Sequence, residues 1–196
     1  MNDVHTGYVS LRLSELTQVK IMKLNEFITR NGRSRSAEPN EHLFRQGDLS
    51  QSLFLVKSGL LKAYYLSMDG KENIKSFILP GDNIGSLSAI HAGEACTFSL
   101  VCLKPCEFVI LDFSELYEVS RTDPEISAAM IDFLLKFGMK KEKREYELLC
   151  LSAEDRYRRL LQNTPEIVDL VTQNEIARYL GITPVALSRI KKRLTN

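Results

Sequence analysis

The chain has 196 residues, of which 44% are hydrophobic and 26% are charged, and its formal net charge at pH 7 is +1. This composition is ordinary for a globular protein with one large domain or two small ones. No apolar run approaches the roughly 18 residues that a membrane span needs. Residues 1–7 lack the basic and apolar regions of a signal peptide. We therefore expect a cytoplasmic protein without a membrane partner.

The cysteines show no CxxC spacing. In a reducing cytosol they are expected to be free thiols rather than disulfides. Zinc and iron–sulfur sites need clustered ligands, so the cysteines in strand-like sequence are expected to be small core residues, and no metal or cofactor is predicted. The four positions are Cys96, Cys102, Cys106 and Cys150.

The first two zones of the chain differ in their apolar period. Helical spacing predicts an amphipathic helix from about Ser10 to Asn31, ended by Gly32 and followed by a polar stretch, Arg33–Asn40. From Glu41 to Phe113, short apolar runs are separated by Gly-containing turns, which indicates an antiparallel sandwich or barrel. Asp69-Gly70 between two such runs predicts a hairpin.

A long helix is predicted over residues 122–151. Thr122-Asp123-Pro124-Glu125 offers a capping residue, a proline suited to the first turn and an acid near the positive helix end. One apolar seam runs along the helix, which could pack on its own sheet, on a second helix, or on both. Because Leu134 and Leu135 widen the seam, we predict that it forms a homodimer interface. The seam residues are Ile126, Met130, Phe133 and Phe137.

Residues 152–196 are predicted to be helical throughout, and the last two helices carry the strongest motif. Thr172 and Glu175 form a capping box at the start of the first. Gly181 suits a left-handed helix exit, and Thr183-Pro184 can cap and begin the second helix. Two short helices joined by a Gly-containing turn form a helix-turn-helix.

The outward face of the last helix is basic, and no Asp or Glu lies between Gly181 and Asn196. A plain helical hairpin would explain the apolar positions but not this face, so we favour DNA binding. Val185, Ser188 and Arg189 are predicted to reach base edges. The remaining predicted contacts are to phosphates, from the later helical cations and from the helix N-termini: Lys191, Lys192, Arg193, Thr172, Gln173 and Thr183.

From Glu41 to Leu194 the chain resembles the Crp/Fnr superfamily of bacterial regulators. Two segments carry the resemblance: Leu151-Ser152-Ala153-Glu154-Asp155-Arg156-Tyr157, and Leu180 to Ile190 with its Gly-Ile-Thr-Pro turn. The resemblance implies an α+β protein that binds a near-palindromic DNA site as a homodimer. RNA polymerase is a further expected partner. It implies three parts: an N-terminal antiparallel β-roll or jelly-roll effector domain of the cyclic-nucleotide-binding type (1–121), a dimerisation helix (122–151) and an all-α helix-turn-helix domain (152–196).

The effector pocket departs from the cyclic-AMP-binding pattern of that family. Members that bind cyclic AMP have a Gly-Glu-Leu motif and, about ten residues later, an Arg-Ser or Arg-Thr pair. The matching positions here are Gly85-Ser86-Leu87 and Cys96-Thr97. Without the arginine, the desolvation of a bound phosphate is uncompensated, so we expect no tight cyclic AMP binding. Oxidation sensing by Cys96 or Cys102 would need a lowered thiol pKa.

Two other functions remain as alternatives. One is a small-molecule sensor module whose DNA binding is weak or vestigial. The other is an enzyme with a cupin-type β-roll around a metal, which needs two or three histidines in close register. Since His5, His42 and His91 lie far apart, we expect no enzymatic activity. The sequence does not identify an effector.

Overall fold

The computed structural model describes residues 23–195. Helix α1 covers 23–31, and the part of the predicted N-terminal helix before residue 23 lies outside the described residues. The strands that follow are β1 (Arg33–Ala37), β2 (His42–Phe44), β3 (Ser52–Ser58), β4 (Leu61–Leu66), β5 (Glu72–Ile78), β6 (Asn83–Ile84), β7 (Ser99–Cys102) and β8 (Cys106–Asp112). The other helices are α2 (Leu87–Ala92), α3 (Phe113–Thr122), α4 (Pro124–Cys150), α5 (Ala153–Asn163), α6 (Glu166–Leu170), α7 (Gln173–Leu180) and α8 (Pro184–Thr195).

The described strands form two antiparallel sheets, in the orders β1-β8-β3-β6 and β2-β7-β4-β5. Their facing sides enclose an apolar core. Aromatic rings dominate its centre, with Phe44 5.2 Å from Phe98 and Phe54 5.8 Å from Phe108 between ring centroids. Edge-to-face pairs of this kind stabilise a core beyond the area that they bury. The predicted α+β architecture with an N-terminal antiparallel β-roll is confirmed.

The hairpin predicted at Asp69-Gly70 is also confirmed. Gly70 has a φ of +78°, and β4 pairs with β5 from Leu66↔Glu72 onward. The register then slips by one residue: Ala63 pairs with Ser76 and Tyr64 with Ile74, so Lys75 has no partner on β4. This is a β-bulge, which bends the strand and changes the direction of the extra side chain.

The polar stretch predicted over Arg33–Asn40 is in part a strand. Residues 33–37 form β1, which pairs with β8 at the edge of the first sheet. Four of its five side chains are exposed, because an edge strand can be held through backbone hydrogen bonds without an apolar pattern. The helices α2 and α3 were likewise not predicted.

Helix α4 begins where the sequence predicts. The Asp123 carboxylate accepts hydrogen bonds from the backbone N–H groups of Glu125 and Ile126, and Pro124 occupies the first turn. The predicted dimer seam, however, lies against the roll of the same chain: Ile126, Met130 and Phe133 are buried with residues of β3, β8 and α3. The fourth seam residue, Phe137, is partly buried against the core of the roll.

The dimer-interface prediction is therefore corrected for Ile126, Met130 and Phe133, whose side chains are buried within the protomer, and Phe137 is partly buried there as well. The exposed apolar residues of α4 lie on another face. Ile131, Leu135 and Met139 are 55%, 59% and 61% exposed, respectively. Both stripes have helical spacing, and only the position of the roll distinguishes the inner stripe from the outer one.

The C-terminal helices pack on the outer face of the β4–β5 hairpin. One apolar cluster contains residues of both parts, and the rings of Phe77 in β5 and Tyr179 in α7 lie 5.4 Å apart. Glu72 in β5 forms an ion pair with Arg178 at 2.7 Å, and the buried Lys62 links Glu72 to Glu175 at 3.2 and 3.6 Å. No helix in the described part of the chain is long and apolar enough to cross a membrane.

Candidate nucleic-acid interface

Helices α7 and α8 form the predicted helix-turn-helix with the predicted caps. The capping box is complete: Thr172 Oγ1 accepts from the Glu175 N–H at 3.3 Å, and the Glu175 carboxylate accepts from the Thr172 N–H at 3.0 Å. Gly181 has a φ of +68°, and the Ile182 N–H donates to the Ala177 carbonyl at 3.0 Å. This pattern closes the end of α7 and turns the chain sharply into α8.

Helix α8 has one buried face and one exposed face. Leu187 and Ile190 are buried against α7 and α5, in the cluster that also holds the turn. Val185 in the first turn is 62% exposed, and Ser188 and Arg189 in the next turn are also exposed. An exposed first and second turn is what a recognition helix needs in order to reach base edges.

The basic residues of α8 differ in whether their side chains already have a partner within the protein. Arg189 and Lys192 are exposed and form no ion pair or side-chain hydrogen bond within residues 23–195. Lys191 is half-buried, and its Nζ donates to Gln173 Oε1 at 3.1 Å, which ties α8 to the start of α7. Arg193 pairs with Glu154 of α5 at 3.3 Å.

The threonines predicted to contact phosphates lie at helix N-termini and are exposed. Thr183 Oγ1 accepts a 3.2 Å hydrogen bond from the Ala186 N–H and so caps α8, and Thr172 caps α7. Both helix N-termini thus face solvent. Each is the positive end of a helix dipole, which is a favourable environment for a phosphate. Gln173, next to Thr172, is exposed but engaged with Lys191.

The positions predicted for the effector pocket are brought together at the end of β6, the start of α2 and the approach to β7. Ser86 and Cys96 lie beside each other and are buried, Leu87 is partly buried, and Thr97 is exposed. Burial raises the pKa of the Cys96 thiol, and the Asp48 carboxylate raises it further. Cys96 itself brings no positive charge to this position, and the Asp48 carboxylate lies close enough to act on its thiol.

The cysteines are free thiols, as predicted. Burial, together with Cys106, raises the pKa of the Cys102 thiol to about 12, and the Cys96 pKa is raised as well. Neither thiol is activated for oxidation, because the thiolate is the reactive form. Within residues 23–195, no group of three or more His, Cys, Asp or Glu side chains could hold a metal ion.

A cavity of about 650 Å³ lies elsewhere, between β5, α4 and α7. One of its lining residues is Lys75, the bulged residue of β5. This lysine was not predicted as a functional residue from the sequence. The signal that could have drawn attention to it is a lysine inside the apolar run Ile74–Leu79.

Comparisons with known proteins agree with this architecture. The family model for the cyclic nucleotide-binding domain matches residues 34–123. The chain is 30% identical to electron transport regulator A of Shewanella oneidensis over 82% of this chain and 68% of that protein. It is also 30% identical to the transcriptional activator protein Anr of Pseudomonas protegens, over 82% of this chain and 70% of that protein.

Among solved structures, FixK2 from Bradyrhizobium japonicum superposes with a TM-score of 0.74 at 18% identity, covering 84% of each chain. The regulator CLP of Xanthomonas campestris superposes with a TM-score of 0.70 at 18% identity, over 90% of this chain and 91% of that one. At these identities the superpositions show a common fold. Relatives at 26% to 30% identity are named as regulators or as transcriptional activators.

Proposed function

Since this chain belongs to the Crp/Fnr family of transcriptional regulators, we propose that it binds double-stranded DNA by inserting α8 into the major groove. The observation that carries the proposal is the exposed face of α8, which presents Arg189 and Lys192 without any competing carboxylate on the helix itself. A cationic helix that follows a Gly-containing turn, with its first turns open to solvent, matches the groove in shape and in charge. We propose a cytoplasmic location on the same ground, because that is where the DNA partner is found.

The exposed positions suggest a division of roles on DNA. Val185 can contact a thymine methyl group, Ser188 can hydrogen-bond a base edge or a phosphate, and Arg189 can donate two parallel hydrogen bonds to a guanine. Lys192 lies later on the helix and suits a phosphate. Arg193 becomes available for a phosphate only when it leaves Glu154, a partner at 3.3 Å.

We also propose a homodimer, formed through the exposed stripe of α4 rather than through the predicted seam. Leu135, Met139, Tyr146 and Leu149 are all large and exposed. Together with Glu142, they follow the 3.5-residue repeat of a two-helix coiled coil. Such a dimer carries two copies of α8 related by a two-fold axis, so its DNA site is a near-palindrome.

Cyclic AMP is not the effector under this proposal, because Ser86 and Cys96 stand where the cyclic-AMP-binding members of the family have an acid and an arginine. The environment of Cys96 supports this, since the nearby charge is the Asp48 carboxylate. Isothermal titration with cyclic AMP is expected to show no micromolar binding. Micromolar affinity would overturn this part of the proposal.

The proposed function is tested by fluorescence anisotropy with a labelled random-sequence duplex at low ionic strength, followed by a salt titration. The logarithm of the association constant is expected to fall linearly with the logarithm of the salt concentration, by about 0.9 for each phosphate contacted. The double variant Arg189→Ala/Lys192→Ala is measured beside the wild type and should bind DNA more weakly. Both side chains are exposed and unpaired in the described chain, so their loss should affect DNA binding rather than folding. A wild-type protein that ignores all duplexes would favour the alternative, a small-molecule sensor with vestigial DNA binding.

A further inference from the structure

The C-terminus of α7, the first helix of the helix-turn-helix, is held by two arginines from outside the motif. The last four carbonyls of an α-helix have no partner within the helix. In α7 the first two of these four accept hydrogen bonds from N–H groups of the turn. The other two belong to Tyr179 and Leu180. Arg144 of α4 donates through Nη2 to the Tyr179 carbonyl, and Arg156 of α5 donates through Nε to the Leu180 carbonyl at 3.1 Å.

Arg156 also holds the C-terminus of α4. Its Nη1 donates to the Leu151 carbonyl at 2.7 Å and lies 3.4 Å from the carbonyl oxygens of Glu147 and Leu148. One guanidinium therefore bridges the ends of α4 and α7, a task that suits arginine because its five N–H donors lie in one rigid plane. Both helix ends are the negative ends of helix dipoles, which favours a cation between them.

Arg144 reaches the same end of α7 from α4. Its guanidinium carbon lies 3.9 Å from the ring centroid of Tyr179, so Arg144 contacts both the ring and the carbonyl of that residue. Burial lowers the pKa of Arg144. Neither Arg144 nor Arg156 forms an ion pair with a carboxylate among residues 23–195. The polar contacts that these two cations make are therefore to the ends of helices.

The covalent link between α4 and the C-terminal helices does not fix their orientation by itself. Only Leu151 and Ser152 lie between α4 and α5, and both have extended backbone angles. Rotation about the bonds of this link would move α5, α7 and α8 together, because the three helices share one apolar cluster. Arg144 and Arg156, here called the arginine clamp, oppose this rotation because they tie α7 and α5 to the end of α4.

We propose that the arginine clamp fixes the orientation of α8 relative to α4, and that in the homodimer it thereby sets which spacing of DNA half-sites is bound. This inference deepens the proposed function and rests on it. Only the three-residue turn from Gly181 to Thr183 separates α7 from α8, so a displacement of the end of α7 moves α8 directly. Arg144 and Arg156 are positioning residues, since both lie outside the helix that contacts DNA.

The spacing of half-sites is sensitive to this orientation because DNA is helical. Each added base pair moves one half-site by about 3.4 Å and rotates it by about 35° relative to the other. Two copies of α8 held at one angle therefore fit one spacing well and its neighbours poorly. Two copies that can rotate fit several spacings almost equally. A loss of folding stability alone would weaken binding to every duplex without changing the preferred spacing.

The test measures anisotropy with duplexes that carry two preferred half-sites at graded spacings, and with a duplex that carries a single half-site. Wild-type protein is expected to bind one spacing about tenfold more tightly than the spacings one base pair longer or shorter. Arg156→Lys keeps the charge but cannot bridge two helix ends, and Arg144→Gln removes the stacked cation. Each should reduce the preference to about twofold and leave affinity for the single half-site almost unchanged. Arg158→Gln, an exposed arginine of α5 that pairs with Glu154, is the matched control and should keep the preference of the wild type.

A second measurement follows the orientation without DNA. Nitroxide labels are placed on Cys150, an exposed native thiol at the end of α4, and on Ser188→Cys in α8. Dilution with unlabelled protein restricts the measured distance to one chain. The wild type and Arg158→Gln should give one narrow distance distribution, and both clamp variants a broad one. Thermal unfolding verifies that each variant is folded.

The outcomes separate this proposal from the proposed function. A wild type that binds DNA without any preferred spacing, or clamp variants that both keep the wild-type preference, would overturn the role of the clamp. An equal loss of affinity for every duplex, the single half-site included, would overturn it too, because it would indicate a role in folding. A wild type that binds no duplex refutes the proposed function, and the distance distributions then decide: narrow ones in both clamp variants overturn the clamp, and broad ones support it.

Discussion

Replacing Arg189 with alanine should change which DNA sequence is bound, rather than how strongly DNA in general is bound. The side chain is exposed and forms no ion pair within residues 23–195, so its removal leaves the folded protein almost unchanged in stability, within about 0.5 kcal/mol. All of the measurable effect should therefore appear in the complex. This separation makes Arg189 a cleaner probe than Arg193, whose pairing with Glu154 links it to the fold.

The size of the effect follows from the contact that is lost. A bidentate arginine–guanine contact discriminates against other bases by about 1–3 kcal/mol, which is about 5- to 150-fold in affinity. In a dimer each half-site loses one such contact. The Lys192→Ala variant should instead lose one phosphate contact in each protomer, which reduces the slope of the salt dependence by about 0.9 per protomer on every sequence.

The assay first selects the preferred duplex from a random pool and then measures anisotropy with each single-base variant of that duplex. Arg189→Ala should bind the preferred duplex and the variants at one guanine position with nearly equal affinity, and keep its discrimination elsewhere. Lys192→Ala should keep discrimination at all positions. If Arg189→Ala weakens binding to every duplex by the same factor, the side chain contacts phosphates and the assigned role is wrong.

Three further changes have defined outcomes. Gly181→Ala should destabilise the fold by about 1–2 kcal/mol in urea unfolding. The cause is backbone strain, because φ is +68° and the added Cβ would meet only Leu148 at 3.7 Å. Asparagine tolerates this conformation better than alanine, so an equal loss in Gly181→Asn would argue against backbone strain. Lys75→Met should stabilise the protein by roughly 2–3 kcal/mol at pH 7, because the native pKa of about 8 lies below the unfolded value of 10.5. The wild-type penalty is complete below pH 8 and is relieved as the pH rises towards 10.5, so the gain should shrink over that window in thermal or urea unfolding; a gain that is constant with pH would contradict the assignment. Leu135→Glu should yield folded monomers in sedimentation velocity and lower operator affinity by about tenfold or more, whereas a dimer of unchanged stability would exclude this face.

The parts of the fold that were predicted correctly are those that local chemistry determines. The capping box at Thr172, the glycine at 181 and the proline at 184 each act within a few residues, so their spacing alone places α7 and α8. Strand β1 was missed for the opposite reason. Its polar side chains carry no apolar period, and β8, distant in sequence, supplies its hydrogen bonds.

The two errors at the site have the same origin in long-range packing. Helix α4 carries apolar residues on two faces, and the sequence does not show that the face with Met130 meets β3 and β8 while the face with Leu135 stays open. The bulge at Lys75 depends on how β5 aligns with β4. The cavity that Lys75 faces therefore cannot be predicted from the residues of β5 alone.

The contact between Phe77 and Tyr179 has a mechanical consequence for α8. The recognition helix is joined to the roll twice, covalently through α4 and α5 and non-covalently through α7 and β5. Two attachments at separate points leave a rigid body one easy movement, a rotation about the line between them. A change in the tilt of α4 would therefore turn α7 and α8 together about that line.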